Sequence, residues 1–135
     1  MITLERATLS SVLLFMGMVT FYLFYPFQPV QLLTDPIPVV NKQVKAGETV
    51  TLKINFDKRM NINPQITYYL VDGFVLELSQ ASVSRAIGQN AVTREILIPE
   101  TSTRGMRKIR IELDYKINIL RTVHYSWDSE EFEVI

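Results

Sequence analysis

Arg107-Lys108-Ile109-Arg110-Ile111-Glu112-Leu113-Asp114-Tyr115-Lys116-Ile117 alternates polar and apolar side chains at every position. Successive side chains along a strand point to opposite faces. Ile109, Ile111, Leu113, Tyr115 and Ile117 therefore fall together, while Lys108, Arg110, Glu112, Asp114 and Lys116 fall opposite. This is the pattern of an antiparallel strand with one face in a core and the other in water. Asn118 marks a turn near residues 118–121. Val123, Tyr125 and Trp127 carry the alternation back before the chain ends on Phe132 and Val134.

The same period of two runs upstream. Lys45-Ala46-Gly47-Glu48 reads as a turn in which Gly47 is free to take a positive φ. Val50, Leu52, Ile54 and Phe56 then share one face, with Thr49, Thr51, Lys53, Asn55 and Asp57 on the other. Ile66, Tyr68 and Leu70 continue the pattern, Asp72-Gly73 is a two-residue hairpin signal, and Phe74, Leu76 and Leu78 return. The small, polar segment from Ser79 to Ala91 is expected to be a connecting loop, with a recognition loop as the alternative. Val92, Ile96 and Ile98 form a further short strand ending at Pro99. About seven strands in the 99 residues from Ile37 to Ile135 predict an all-β, Ig-like antiparallel sandwich, with a small closed barrel as the alternative. No amphipathic crossover helix separates the strands, which excludes parallel α/β folds.

Hydrophobicity is distributed unevenly along the chain. After Glu5 and Arg6 no charge appears until Asp35, an uncharged run of 28 residues. Its centre, Ala7 to Tyr25, is 19 residues long and contains nine Leu, Val or Phe. As a helix it spans roughly 28 Å, close to the ~30 Å hydrocarbon core of a bilayer. Pro26 and Pro29 stop the ladder where the membrane should end. Phe21, Tyr22, Phe24, Tyr25 and Phe27 place five of the fourteen aromatics within seven positions, as an interfacial belt would require. Bulky residues and prolines stand where a signal-peptide cleavage site needs small side chains, so an uncleaved anchor is expected. Four of the six prolines fall between 26 and 38 and favour an extended connector. The expected organisation is a tail over 1–6, a transmembrane helix over 7–27, a Pro-rich stalk over 28–36 and a sandwich over 37–135. Arg6 gives a weak charge bias toward a cytoplasmic amino terminus and an external domain. Ala7, Ser10, Leu14, Gly17 and Phe21 share a helical stripe with three small residues, a hint of homo-oligomerisation without a GxxxG motif.

Tyr115-Lys116-Ile117-Asn118-Ile119-Leu120-Arg121 and Ser129-Glu130-Glu131-Phe132-Glu133-Val134 resemble the ending of small uncharacterised single-pass proteins of tailed bacteriophages. The Val44-Lys45-Ala46-Gly47-Glu48-Thr49 turn and the Tyr25-Pro26-Phe27-Gln28-Pro29 boundary are similar to theirs. The resemblance implies one anchor plus one Ig-like domain, a phage origin, and a host-membrane or virion-membrane location. It implies no activity and assigns no residue a role.

Signals for chemistry are sparse. The chain has no cysteine, which removes disulfides, thiolate metal sites, a catalytic thiol and a lipoprotein anchor. The single histidine, His124, alternates with Val123 and Tyr125 and is expected on the polar face. Ser126 or Asp128 near it, and Lys53 with Ser79 or Ser82, are the residue types a hydrolase would combine, yet no strained nucleophile turn marks any serine. Asp57, Asn61 and Asn63 superficially match a calcium loop, but DxDxDG is missing and Lys58 and Arg59 would repel the cation. Phosphate loops and dinucleotide glycines are absent, so no cofactor is expected.

Charge is balanced at 14 basic and 14 acidic residues, which gives no electrostatic reason to expect nucleic acid. It is nevertheless grouped. Arg104, Arg107, Lys108 and Arg110 form a candidate basic contact patch, and Asp128, Glu130, Glu131 and Glu133 an acidic one. Pairing of their strands would neutralise the clusters against each other; otherwise the basic edge would face anionic lipid or an acidic partner. The resulting expectation is a non-enzymatic bitopic protein that contacts the lipid bilayer and an unidentified protein partner. A phage effector acting on host envelope machinery is the alternative, and a membrane-tethered enzyme the weakest reading.

Overall fold

The computed structural model describes residues 3–25, 28–71, 75–82 and 85–135. One helix, α1 (Leu4–Phe24, 21 residues), precedes a domain built from strands. Thr3 caps α1: its extended backbone leaves the side-chain oxygen to accept the Arg6 amide at 3.4 Å. At 1.5 Å per residue α1 is about 31 Å long. It is long and apolar enough to cross a membrane, and no residue of it is buried.

The strands are β1 (Val30–Leu32), β2 (Gln43–Val44), β3 (Thr49–Lys58), β4 (Gln65–Val71), β5 (Val75–Ser82), β6 (Gly88–Leu97), β7 (Gly105–Asn118), β8 (Arg121–Asp128) and β9 (Phe132–Val134). They form two open sheets. One is antiparallel, in the order β1-β3-β6; the other is mixed, in the order β2-β9-β7-β4-β5, with β8 also on β7. β8 and β9 follow each other along the edge of β7 opposite β4. Both sheets have free edges, so the closed-barrel alternative is not the architecture.

The long alternating run is β7. Ile109, Ile111, Leu113 and Tyr115 are buried, and they meet Val50, Leu52 and Ile54 of β3, Tyr68 and Leu70 of β4, and Phe132 and Val134 of β9 in one core. The Gly47 turn forms as expected, with φ +86° and the Glu48 amide donating to Lys45 O at 3.0 Å. β4 and β5 pair from Val71↔Val75 outward; Asp72, Gly73 and Phe74 of the expected hairpin turn lie outside the described residues.

Two stretches depart from the sequence reading. Val30–Leu32, inside the stretch expected to be a stalk, is paired in the sheet: β1 runs antiparallel to the end of β3, with Val30↔Lys58, and both Pro29 and Val30 are buried. Proline spacing predicts an extended backbone, and an extended backbone with free amides at 30–32 can equally join a ladder. The expected loop from Ser79 to Ala91 is likewise largely strand. β5 runs to Ser82 and β6 starts at Gly88, pairing with β3 through Lys58↔Gly88. Small polar side chains hide period two, but backbone pairing does not need them.

Candidate functional site

Strand register divides the domain into two ends. Gln65 pairs with Asp114 and with Ser82, and Lys58 pairs with Gly88. The connections 59–64, 85–87 and 118–121 therefore lie at one pole. The turn 45–48, the loop 98–104 and the last residues occupy the other, where Gly105 pairs with Val134. β7 joins the poles over 14 residues, about 43 Å at strand rise.

The first pole is where α1 meets the domain. Asn118 donates from Nδ2 to Tyr22 O at 3.0 Å, and Arg121 Nη1 donates to Tyr25 O. Carbonyls in the last turn of a helix lack partners within it, so two side chains of the β7–β8 turn satisfy that end. At the end of α1, Phe21 stacks edge-on with Tyr22 at 6.0 Å and tilted with Tyr25 at 4.7 Å. Phe24 is exposed, and Phe27, the fifth residue of the expected aromatic belt, lies outside the described residues. Arg59 ties the exit segment down: Nη1 donates to Gln28 Oε1 at 2.8 Å, Nη2 to Gln31 Oε1, and its amide to Pro29 O at 2.9 Å. In the sequence, 118–121 carries only the signal of a turn. The available signal was Ile119-Leu120, two adjacent aliphatics at a turn where polar residues are the rule.

Lys58, which lies in the loop expected from 57 to 64, continues the inward alternation of β3 and is 4% exposed. Its ammonium donates to Asn63 Oδ1 at 2.9 Å and to Arg85 O at 2.6 Å. Burying an ammonium costs several kcal/mol, and hydrogen bonds from a charged donor return about 1.5–3 kcal/mol each. Lys58 thus fixes the 59–64 and 85–87 connections to each other. It also lines a cavity of ≈ 60 Å³ between the sheets, walled mainly by Ile54, Phe56, Ile66, Tyr115 and Trp127. That volume admits a few water molecules, far below the ~300 Å³ at which organic-ligand sites begin. Arg94 lines the cavity and hydrogen-bonds the Tyr68 hydroxyl, whose pKa burial pushes above its ordinary value against the opposing pull of Arg94. Burial likewise pushes the Tyr115 phenol up to about 12.

The basic cluster does not form one free surface. Register places Arg110 opposite Asp128, and Asp128 accepts from Arg110 Nε at 2.9 Å and from Lys108 Nζ at 3.2 Å. The hydrogen bond from Arg110 holds the Asp128 carboxyl below its usual range, against some opposing desolvation. Arg107 folds back on its own loop, donating to Thr103 Oγ1 at 2.7 Å and Met106 O at 2.8 Å. Arg104 is exposed. Arg104 and Arg107 sit at the pole opposite α1, about 40 Å along β7 from the helix end. On the acidic side Lys42 pairs with Glu130 at 3.0 Å, and Gln43 donates to Glu133 at 3.3 Å.

The remaining candidates are dispersed. His124 is exposed on β8, as expected, and its Nδ1 pairs with Asp114 directly across the strand. Among the described residues no hydrogen bond joins His124 to Ser126. Lys53 points to the outer face of the three-stranded sheet, whereas Ser79 and Ser82 belong to β5 of the other; the side chains of these serines lie outside what is described. Asp57 pairs with Arg59 at 3.5 Å and Asn63 with Lys58, so two of the three side chains of the calcium-like loop are engaged by cations. Among the described residues no group of three His, Cys, Asp or Glu could hold a metal ion.

No family model and no curated protein matches the sequence. Among solved structures, a DNA-bound alkylpurine DNA glycosylase from Pseudomonas fluorescens is similar at a TM-score of 0.43 and 16% identity, over 73% of this chain and 30% of that one. A family 123 glycoside hydrolase from Clostridium perfringens is similar at 0.41 and 14%, over 73% and 23%. A beta-glucosidase from Listeria innocua is similar at 0.41 and 14%, over 78% and 16%. The chain spans less than a third of each, and likeness at this level carries no inference about activity.

Proposed function

We propose that this chain is a phage-type single-pass membrane protein whose helix holds an Ig-like domain at the membrane surface, where it acts by protein–protein contact at the envelope or virion. The observation that carries the reading is the unburied helix. The β domain closes its core without α1, and Leu9, Leu13, Leu14, Phe15 and Met16 are each more than half exposed. Leaving side chains of this size in water forgoes ~1.5–3 kcal/mol apiece, whereas lipid would solvate them. The hydroxyls of Thr8, Ser11 and Thr20 donate to Leu4 O, Ala7 O and Met16 O within the helix at 2.8–2.9 Å, so none requires a partner from water.

The Ig-like assignment is supported by the path of the first segment. It pairs with β3 in one sheet as β1, then runs parallel to the last strand in the other sheet as β2. Such a crossing, with the sheets sharing one core, suits the Ig-type sandwich. The amino terminus lies in the cytoplasm and the domain outside. Confinement to the membrane raises the domain's effective concentration near any membrane partner, so modest contact surfaces suffice. Because the chain has no cysteine, Thr103→Cys gives a unique label site. Modification of intact, outer-permeabilised host cells by an impermeant maleimide supports the external domain; modification only after lysis of the inner membrane rejects it. Proximity labelling from the full chain then separates virion assembly from action on host machinery by the proteins it marks.

A further inference from the structure

We infer that the pole bearing the β7–β8 turn is a second membrane contact, docking the domain on the anionic surface of the bilayer that α1 crosses. This rests on the membrane-spanning reading of α1. Ile119 at the tip is 91% exposed, Leu120 51%, and Ile87 in the neighbouring connection 61%. Three large aliphatics exposed at one pole are costly in water unless something covers them. The lipid interface is the occupant the geometry selects. Asn118 and Arg121, flanking the two tip aliphatics, hold Tyr22 O and Tyr25 O of the helix end. The tip is therefore fastened at the depth of the tyrosines that mark the headgroup region.

Charge agrees with this placement. Segments 58–66, 85–94 and 115–123, which carry the described connections of this pole, contain no Asp or Glu, and of the acids at their borders Asp57 and Asp114 are paired with Arg59 and His124. Arg85 and Lys116 are exposed there, and Arg121 is half-exposed. Basic residues beside a phosphate surface are favourable, so aliphatics on a pole that carries exposed cations suit anionic lipid. The opposite pole, with Arg104, lies about 40 Å away along β7 and is left for partners.

The test uses the full chain reconstituted in vesicles of phosphatidylcholine with phosphatidylglycerol, carrying an environment-sensitive dye on one introduced cysteine. Met16→Cys reports the helix, Ile119→Cys the tip, and Thr103→Cys the far pole. Docking predicts that dyes at 16 and 119 are quenched by nitroxide-bearing lipid and shielded from aqueous iodide, while the dye at 103 shows the reverse. Adding Leu120→Asp to the Ile119→Cys chain should lower the docked-to-free ratio by about tenfold. Lipid quenching at 16 with iodide quenching at 119 overturns the docking and leaves the anchor intact. Iodide quenching at 16 overturns the anchor and the docking with it. Shielding of 119 from both quenchers means that protein, such as a second copy, covers the tip, and refutes lipid contact. Unchanged quenching in pure phosphatidylcholine removes the role of the cations.

Discussion

Phe132→Ala should strip the β domain of about 3–5 kcal/mol of stability. Phe132 is fully buried on β9, a three-residue strand pairing with both β2 and β7. Removing the ring loses about 3 kcal/mol of transfer free energy, and the cavity left behind adds about 2 kcal/mol if the walls stay put. Partial collapse sets the expected loss at 3–5 kcal/mol, within the range measured for buried Phe→Ala changes. A domain of this size has ~5–15 kcal/mol in total, so the loss is a large share of it and at the low end nearly all. Urea unfolding of the full chain in mild detergent, followed by the single tryptophan Trp127, gives the measurement. At a slope of about 1–1.5 kcal/mol/M the midpoint should fall by ~2–5 M. Ile119→Ala, at an almost fully exposed site, should move it by less than about 0.5 kcal/mol in the same detergent. A Phe132→Ala loss below ~1 kcal/mol would mean that β9 does not close the core as described.

Gly47→Ala should cost about 1–2 kcal/mol, read from the same urea midpoint, because φ is +86° and the added Cβ would lie 3.1 Å from Glu100 Cγ; no change would contradict the turn geometry. Asp128 has a depressed folded pKa, so its contribution is complete above the ordinary value of 3.8 and fades as pH falls below it. Asp128→Asn should flatten that part of the acid-denaturation profile, while costing no more than ~1 kcal/mol at neutral pH because the pair is partly exposed. Tyr115 is raised to about 12, so its contribution is complete below its ordinary value of 10 and is lost as pH climbs toward 12. Tyr115→Phe should remove stability loss between those values, and an unaltered alkaline profile would show that the phenol is not the group responsible.

Much of the fold was legible because one physical signal dominates it. Each inward residue of β7 from Ile109 to Tyr115 is apolar and each outward one polar, and the buried set matches. The apolar helix was equally plain, although it begins three residues before the expected start at Ala7. What escaped was information not carried by local polarity. Lys58 breaks the polar-outward rule, because its hydrogen-bonding partners come from residues 63 and 85 rather than from its neighbours. β1 and the start of β6 are specified by pairing with β3, tens of residues away, and their own composition reads as connector. The pole was invisible for the same reason. Asn118 and Tyr22 are 96 positions apart, and only the folded register brings them together. The basic cluster looked continuous in sequence, but strand pairing gives Lys108 and Arg110 to Asp128 while Arg107 closes its own loop.

Alkaline carbonate extraction of membranes from cells expressing the full chain tests the central claim most directly, because it strips peripheral proteins and leaves those with a helix through lipid. A membrane-crossing α1 keeps the chain in the pellet until detergent releases it. Recovery in the carbonate supernatant, with residues 4–24 protected from protease by the β domain, would contradict it.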